Sequence, residues 1–320
     1  MSKMKLKLMT RNIEKLKDTL ALISHLRKFI ILKITSKELS VILVNTGSAN
    51  LEPQVWCKFT TSSLFESMEI QSMRDNTILM EINIDLLLQT LRNFDKANSE
   101  GLNIRLQRTD ASGEQGTSTK NGRTASLALF YSNINVNSNV INHTFRIPVK
   151  ILKEAQDFFQ EPSHSDVGLI VRLPNEFIAI FKRLEKFKKT TFNDIVAIQA
   201  NNRDTGSLRF VLEEDGKFKV TVGWNTKLEF HKPISNDAET IRESLRNVDT
   251  MMLDHSELEG TPEVVNISVK LKDWQLASKI VGRCKTVILC IGHRNCSLHC
   301  LLDETEDVEL VYFINGVRNL

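Results

Sequence analysis

Six side chains of the kind that bind zinc, Cys284, Cys290, His293, Cys296, His299 and Cys300, fall within seventeen residues of a 320-residue chain. Thiolates and imidazoles at short spacing are what a tetrahedral zinc site needs. The arrangement argues against one. No paired C-x-x-C knuckle occurs, and Cys290 and Cys300 fall in predicted strands, where successive side chains point to opposite faces. Small thiols packed inside a hairpin are the simpler reading, with no metal bound. Carboxylates also cluster, at Glu213-Glu214-Asp215 and at Asp303-Glu304-Thr305-Glu306-Asp307, as a metal-dependent nuclease or hydrolase would require. Both clusters fall at predicted turns and neither comes with a spaced partner motif that would fix a cation, so they read as solvated turns. No G-x-x-x-x-G-K-[ST] loop is present to cradle a nucleotide. No cofactor is called for.

What remains is cationic. Arg11, Lys15, Arg92, Lys96, Lys182, Arg183, Lys186, Lys189, Lys279 and Arg283 all fall on segments with helical periodicity, opposite an apolar stripe. In the segment Arg11 to Lys28 the stripe is Ile13, Leu16, Leu20 and Ile23. From Asn83 to Ala97 it is Ile84, Leu87, Leu88, Leu91 and Phe94, and from Glu176 to Lys189 it is Phe177, Ile180, Phe181, Leu184 and Phe187. A fourth helix, about Asp273 to Cys284, buries Trp274, Ala277, Val281 and Cys284; Lys272 joins its basic row only if the helix begins before Asp273. Residues 11–28 sum to +3, 83–97 to zero, 176–189 to +3 and 270–285 to +4, although the whole chain carries only +3. The basic charge therefore sits on helices above an acidic remainder. That polarity is the footprint expected for contact with phosphates, or, more blandly, of long cationic side chains solvating helix faces.

The rest of the chain reads as strand. Segments such as Phe29 to Ile34, Leu39 to Val44, Gln54 to Phe59 and Thr77 to Ile82 precede the second helix, and Leu102 to Gln107 and Ala125 to Tyr131 follow it. The same order returns after residue 166, with a hairpin across Asp215-Gly216 and closing strands at Val287 to Ile291, Ser297 to Leu302 and Val308 to Ile314. Between the halves, His143 to Pro162 reads as a connector whose strand, Thr144 to Lys150, is confined to an edge by Pro148. The expected organisation is an N-terminal domain at 1–142, a connector at 143–165 and a C-terminal domain at 166–320. A mobile Gly-, Ser- and Thr-rich loop is expected at Asp110 to Arg123 and a flexible acidic insertion at 233–263. The fold class is α+β, with amphipathic helices on one side of antiparallel sheets. At 41% hydrophobic and 25% charged residues, with five cysteines, this is an ordinary soluble chain suited to a reducing compartment. No apolar run approaches the roughly 18 residues of a membrane span.

The duplicated layout, the basic helices and the connector resemble the PCNA-like sliding clamps. More narrowly, TFRIPVKILKEAQD from Thr144, KDWQLASKI from Lys272, ILCIGHRNCSLHCLLD from Ile288 and ELVYFINGVRNL from Glu309 resemble the fungal version of the Hus-type subunit of the heterotrimeric DNA-damage checkpoint clamp. The resemblance implies a non-catalytic subunit. Together with two sister clamp subunits it would close a ring of helices inside and sheets outside around double-stranded DNA with single-strand junctions. The ring would be placed by an ATP-dependent clamp loader with replication-factor-C-like subunits and would activate an ATR-type checkpoint kinase in the nucleus. On that reading the ten cations named above face the duplex through phosphates without reading bases. Subunit contacts would use sheet edges near Ala125 to Tyr131 and Lys217 to Gly223. Ile151, Leu152, Phe158 and Phe159 would lie on the connector beside a site for partner peptides, ordinary packing being the plainer reading for the two phenylalanines. The competing classes are a monomeric or homo-oligomeric sequence-independent DNA-binding protein and a metal-dependent nuclease.

Overall fold

The computed structural model describes residues 4–44, 52–94, 99–108, 124–134, 139–152, 159–163, 166–187, 194–202, 206–224, 226–228, 230–231, 264–302 and 308–317. The expected loop at Asp110 to Arg123, the acidic segment 233–263, Lys96, Phe158, Lys189 and the carboxylates from Asp303 to Asp307 lie outside them. Contacts divide the chain into two compact units, Met1–Val44 with Trp56–Phe159, and Asn45–Val55 with Gln160–Leu320.

The first unit is built from β1 (Lys5–Thr10), α1 (Glu14–Ile23), β2 (Phe29–Ile34), β3 (Glu38–Leu43), β4 (Gln54–Thr60), α2 (Thr61–Leu64), β5 (Ser67–Gln71), β6 (Ile78–Asn83), α3 (Ile84–Arg92), β7 (Leu102–Arg108), β8 (Thr124–Ile134) and β9 (Val140–Ile151). One run of strands is ordered β5-β1-β7-β8-β9 and a second β6-β2-β3-β4, and the pairs β1–β5, β1–β7, β2–β3, β2–β6, β7–β8 and β8–β9 are antiparallel. They meet where the end of β9 pairs with β6, from Ile82↔Val149 to Met80↔Ile151. The β2–β3 turn closes as its sequence predicts: Thr35 N–H donates to the Glu38 carbonyl at 2.9 Å, and the Thr35 hydroxyl accepts from the Glu38 N–H at 3.0 Å. α1 and α3 pack against each other, with Leu20, Ile23 and Leu91 fully buried. α3 starts at Asn83 because that side chain accepts from the N–H groups of Asp85 and Leu86 at 3.0 and 3.2 Å, satisfying two donors that the helix itself leaves open.

The second unit comprises β10 (Val167–Leu173), a 3-10 turn (Asn175–Phe177) leading into α4 (Ile178–Glu185), β11 (Ile195–Asn201), β12 (Ser207–Glu214), β13 (Phe218–Trp224), β14 (Phe230–His231), β15 (Val264–Lys270), α5 (Leu271–Leu276), α6 (Ser278–Val281), β16 (Thr286–Gly292), β17 (Asn295–Leu301) and β18 (Val308–Asn315). Its two runs are β14-β10-β16-β17-β18 and β15-β11-β12-β13. They meet where Val317 N–H donates to the Ser268 carbonyl at 2.7 Å, beside the bridge Val269↔Gly316. Strand for strand, this is the pairing order of the first unit. The two halves are topologically similar, as their common sequence pattern requires. The β12–β13 hairpin turns at Gly216, whose φ of 72° falls in the left-handed region open to glycine.

Several boundaries move. The first helix is α1 at Glu14–Ile23 rather than residues 11–28, and the fourth is two short pieces that begin before Asp273, so Lys272 does belong to it. The domain boundary expected at residue 143 falls inside β9, which pairs with β8 over its whole length from Ile134↔Val140 to Thr124↔Lys150. Pro148 stands one residue before pairing with β6 begins, so the strand is an edge only up to that point. No helix among the described residues is long and apolar enough to cross a membrane.

Candidate nucleic-acid interface

In the second unit the basic side chains stand on a stack of aromatic rings. Trp274 of α5 is fully buried and lies parallel to Phe181 of α4, with centroids 5.0 Å apart and planes at 10°. Its other neighbour is Phe210 of β12, also at 5.0 Å. Phe177 meets Phe181 edge to face at 5.9 Å and packs on Trp224 at 5.8 Å. The helices are further tied by Gln275 Nε2, which donates to the Phe181 carbonyl at 3.0 Å. Tyr312 of β18 donates its hydroxyl proton to the Asp273 carbonyl at 2.9 Å, holding α5 to the sheet. Burial raises the Asp273 carboxyl above its ordinary pKa, and Lys270 and Lys272 oppose the shift.

With the apolar side of α4, α5 and α6 committed to this stack, the cations are left outward. Lys182 and Arg183 on α4, Lys186 in the turn after it, Lys272 on α5, Lys279 on α6 and Arg283 just beyond are all exposed. Lys182, Arg183, Lys186, Lys279 and Arg283 were legible from the sequence. Lys272 is added by the early start of α5.

The first unit is different. Arg11 lies in the turn before α1 rather than on the helix, and its Nε donates to the Glu100 carbonyl at 2.9 Å and sits 3.8 Å from the Glu66 carboxylate. Lys15 is half-buried on α1 and Arg92 is exposed in the last turn of α3. The outward positions around them include Glu14, Asp18 and Asp85, and Glu14 holds Lys17 at 2.5 Å. In the connector, Ile151 closes β9, Leu152 is buried and donates its N–H to the Leu79 carbonyl at 3.0 Å, and Phe159 is 2% exposed. Ile151 is half-buried, so Leu152 and Phe159 are packed and Ile151 alone of the three offers surface.

One edge expectation needs correction. Ala125 to Tyr131 lies in β8, which is paired on both sides, by β7 and β9. The open edge is that of β9, which among the described residues has no strand on the side away from β8 from Val140 to Pro148. Val140 is 62% exposed and Ile141 46%; the helix-side face of the same strand carries His143 and Phe145 stacked with Tyr131. β13, the second expected edge, does end its run.

The register of the β16–β17 hairpin separates the possible zinc ligands. Cys290 lies opposite Ser297 and Ile291 opposite Cys296, so Cys290 and His299 share one face while Cys296 and Cys300 share the other. His293 is exposed at the turn. No group of three or more His, Cys, Asp or Glu side chains among the described residues is placed to hold a metal. His299 instead lies with Nδ1 3.5 Å from Glu309 Oε1 and Nε2 3.2 Å from the Ser297 hydroxyl. Burial alone pulls its pKa down, but Cys290 and Glu309 outweigh it and lift the imidazole to about 9. On the opposite face burial pushes the Cys296 thiol up to about 12. Two of the three carboxylates at the Gly216 turn are held by lysines: Glu214 by Lys217 at 2.5 Å and Glu213 by Lys219 at 2.7 Å.

Comparison with known proteins agrees with this geometry. The chain matches the family described as Hus1-like protein over residues 4–318. It is similar to the DNA damage checkpoint control protein MEC3 of Eremothecium gossypii, at 25% identity covering 90% of this chain and 89% of that protein. Similarity to the DNA damage checkpoint control protein MEC3 of Saccharomyces cerevisiae is 23% identity over 99% of this chain and 100% of that one. The checkpoint protein hus1 of Schizosaccharomyces pombe is 24% identical over 82% of each.

Proposed function

The chain belongs to the Hus1-like family and is a subunit of a DNA damage checkpoint clamp of PCNA-like fold, and from that premise we propose that it contributes scaffold and interface, with no catalysis, to a three-subunit ring around duplex DNA. The observation that carries the proposal is the duplicated unit of sheet and helices, with cations on the helix side of the second copy supported by a fully buried aromatic stack. A surface of that kind suits contact with phosphates alone. It presents exposed cations on short helices, and contact through phosphates alone makes binding salt-sensitive and indifferent to sequence.

The open edges of β9 and β13 suit the joints of such a ring. Each offers unpaired backbone donors and acceptors to a sister subunit, which gives alignment by register and affinity by side-chain contact. An ATP-using clamp loader would open and place the ring at junctions of single- and double-stranded DNA in the nucleus, and the loaded ring would support an ATR-type kinase. Lys17, Lys217 and Lys219 are engaged by carboxylates of their own unit, and we assign them no part in DNA contact.

The test is retention on circular against linearised DNA, using this chain co-purified with two sister subunits, a clamp loader and ATP. Retention on circles that is lost on cutting is the expected result. Equal retention on both forms would instead favour a directly binding protein whose cations act without a ring.

A further inference from the structure

Two guanidiniums share one spot on the first unit's sheet, on the side away from the helices. Alternation along β7, β8 and β9 puts Arg105, Gln107, Ser126, Ala128, Phe130 and Arg146 on that side. The opposite side carries Tyr131, whose hydroxyl donates to the Asn93 carbonyl at the end of α3 at 2.7 Å. Register centres the group on Ala128, which lies opposite Arg105 on one neighbouring strand and Arg146 on the other. Arg146 reaches across β8: its Nε donates to Gln107 Oε1 of β7 at 3.4 Å, bringing its guanidinium to the strand that carries Arg105. Ala128 beneath is fully buried and Ser126 is 7% exposed, while both arginines are exposed. Arg105 lies over the Phe130 ring, 5.7 Å from its centroid. The strands β5, β1, β7, β8 and β9 carry one carboxylate on this side, Glu69, and Lys5 and Lys7 both hold it. Lys150 lies opposite Glu81 of β6. Among the described residues neither Arg105 nor Arg146 has a carboxylate in ion-pair range.

Like charges brought together oppose each other, and a shared anion removes the opposition. A carboxylate has one charge and two oxygens, which a single guanidinium fork satisfies; a phosphate monoester has close to two charges and three oxygens, enough for both forks. A nucleic acid is gripped through a long run of cations, whereas the outward neighbours of this pair, Asn103, Thr144 and Pro148, are neutral. Their polar groups suit a peptide backbone, and Phe130 and Pro148 suit an apolar side chain beside the charged one. We infer that this face of the first unit docks a phosphorylated segment of a protein partner, its phosphoryl group seated between Arg105 and Arg146 over Ala128. The site belongs to this chain's own surface and does not depend on the ring.

The test is fluorescence anisotropy of labelled nonapeptides titrated with the full chain. One pool has phosphoserine at its centre and mixed flanking residues; two others have serine or glutamate there, and a deoxythymidine oligomer of matching length is the fourth probe. The phosphoserine pool should bind, and R105Q and R146Q should each weaken it about tenfold. K28Q, at an exposed cation of the same unit away from this face, should leave binding unchanged. R105K with R146K keeps both charges and loses both forks, so it should bind more weakly than the parent; it also serves if the glutamine variants fail to fold. Binding of the serine or glutamate pool as tight as that of the phosphoserine pool would overturn the inference. Equal weakening by K28Q would overturn it too, as would lysine variants that bind like the parent. Tighter binding of the oligomer, lost in R105Q and R146Q, would reassign the face to nucleic acid.

Discussion

Replacing Trp274 with alanine probes the aromatic stack on which the basic helices stand. The indole is fully buried between Phe181 and Phe210, with both centroids at 5.0 Å. Removing a buried tryptophan costs about 3–5 kcal/mol through lost transfer energy and the cavity left behind. An aromatic pair adds about 0.5–1.5 kcal/mol beyond its area, and here two pairs are lost. The expected loss is about 4–5 kcal/mol, a large share of the roughly 5–15 kcal/mol that a domain has in total. Because Trp274 joins α5 to α4 and β12, the loss falls on the second unit and loosens Lys182, Arg183 and Lys279 together. Equilibrium urea unfolding followed by circular dichroism gives the total. Fluorescence of Trp224, in a background with Trp56 changed to phenylalanine, reports the second unit alone, since Trp56 belongs to the first. A loss below about 1 kcal/mol would show that the stack is not what supports this face. A loss read equally by a Trp56-only variant would show that the two units do not unfold separately, and the assignment to the second unit would fail.

Two further outcomes follow from the geometry. His299 keeps its proton in the folded chain up to about pH 9, against 6.5 for an ordinary histidine. The stability this gives is fully present below pH 6.5 and disappears as the pH rises through about 9, with a maximum of about 3 kcal/mol at 1.36 kcal/mol per unit. The urea midpoint of the parent chain should therefore fall across that window while that of His299→Gln stays flatter; parallel curves would rule out a charged His299. On the β9 edge, Ile141→Lys should reduce co-purification with sister subunits at least about tenfold, since lysine at an edge blocks strand addition. Met73→Lys, at a position 82% exposed on the same unit, should not; equal effects would remove β9 from the joint.

What could be read from the sequence was whatever repeats on a short period. α3 was legible because Ile84, Leu87, Leu88 and Leu91 fall on one side and Asn83 is a capping residue type, and all four apolar residues are buried. The cations of α4 and α6 were legible for the same reason, since the positions opposite Phe181, Leu184 and Val281 had to be outward. Other features depend on partners distant in sequence. β5 (SMEIQ) does alternate, Met68 and Ile70 lying between polar residues, but the stretch is short and exposed or half-buried throughout, and it becomes a strand because β1 pairs with it. The start of β9 at Val140 escaped notice because Val140 to Asn142 are exposed and it is β8 that defines them. The fourth helix looked continuous, yet it divides at Ala277, whose N–H bonds to the Trp274 carbonyl three residues back. That Cys290 and Cys296 lie on opposite faces was not legible, because it depends on the register of the β16–β17 hairpin. The charge of residues 11–28 was correctly counted but only partly on the helix, because Arg11 lies before α1, Arg27 and Lys28 lie after it, and Lys17 is paired with Glu14.

The open edge of β9 has a consequence before any ring exists. A newly made chain presents Val140 and Ile141, exposed beside a row of unpaired backbone groups, to any other strand it meets, including that of another copy of itself. If the proposed ring joins at this edge, the surface that would make the subunit assemble is the one that makes it hazardous in excess. Supply of this chain would then have to be matched to that of its sisters, so that each edge is covered soon after it is made.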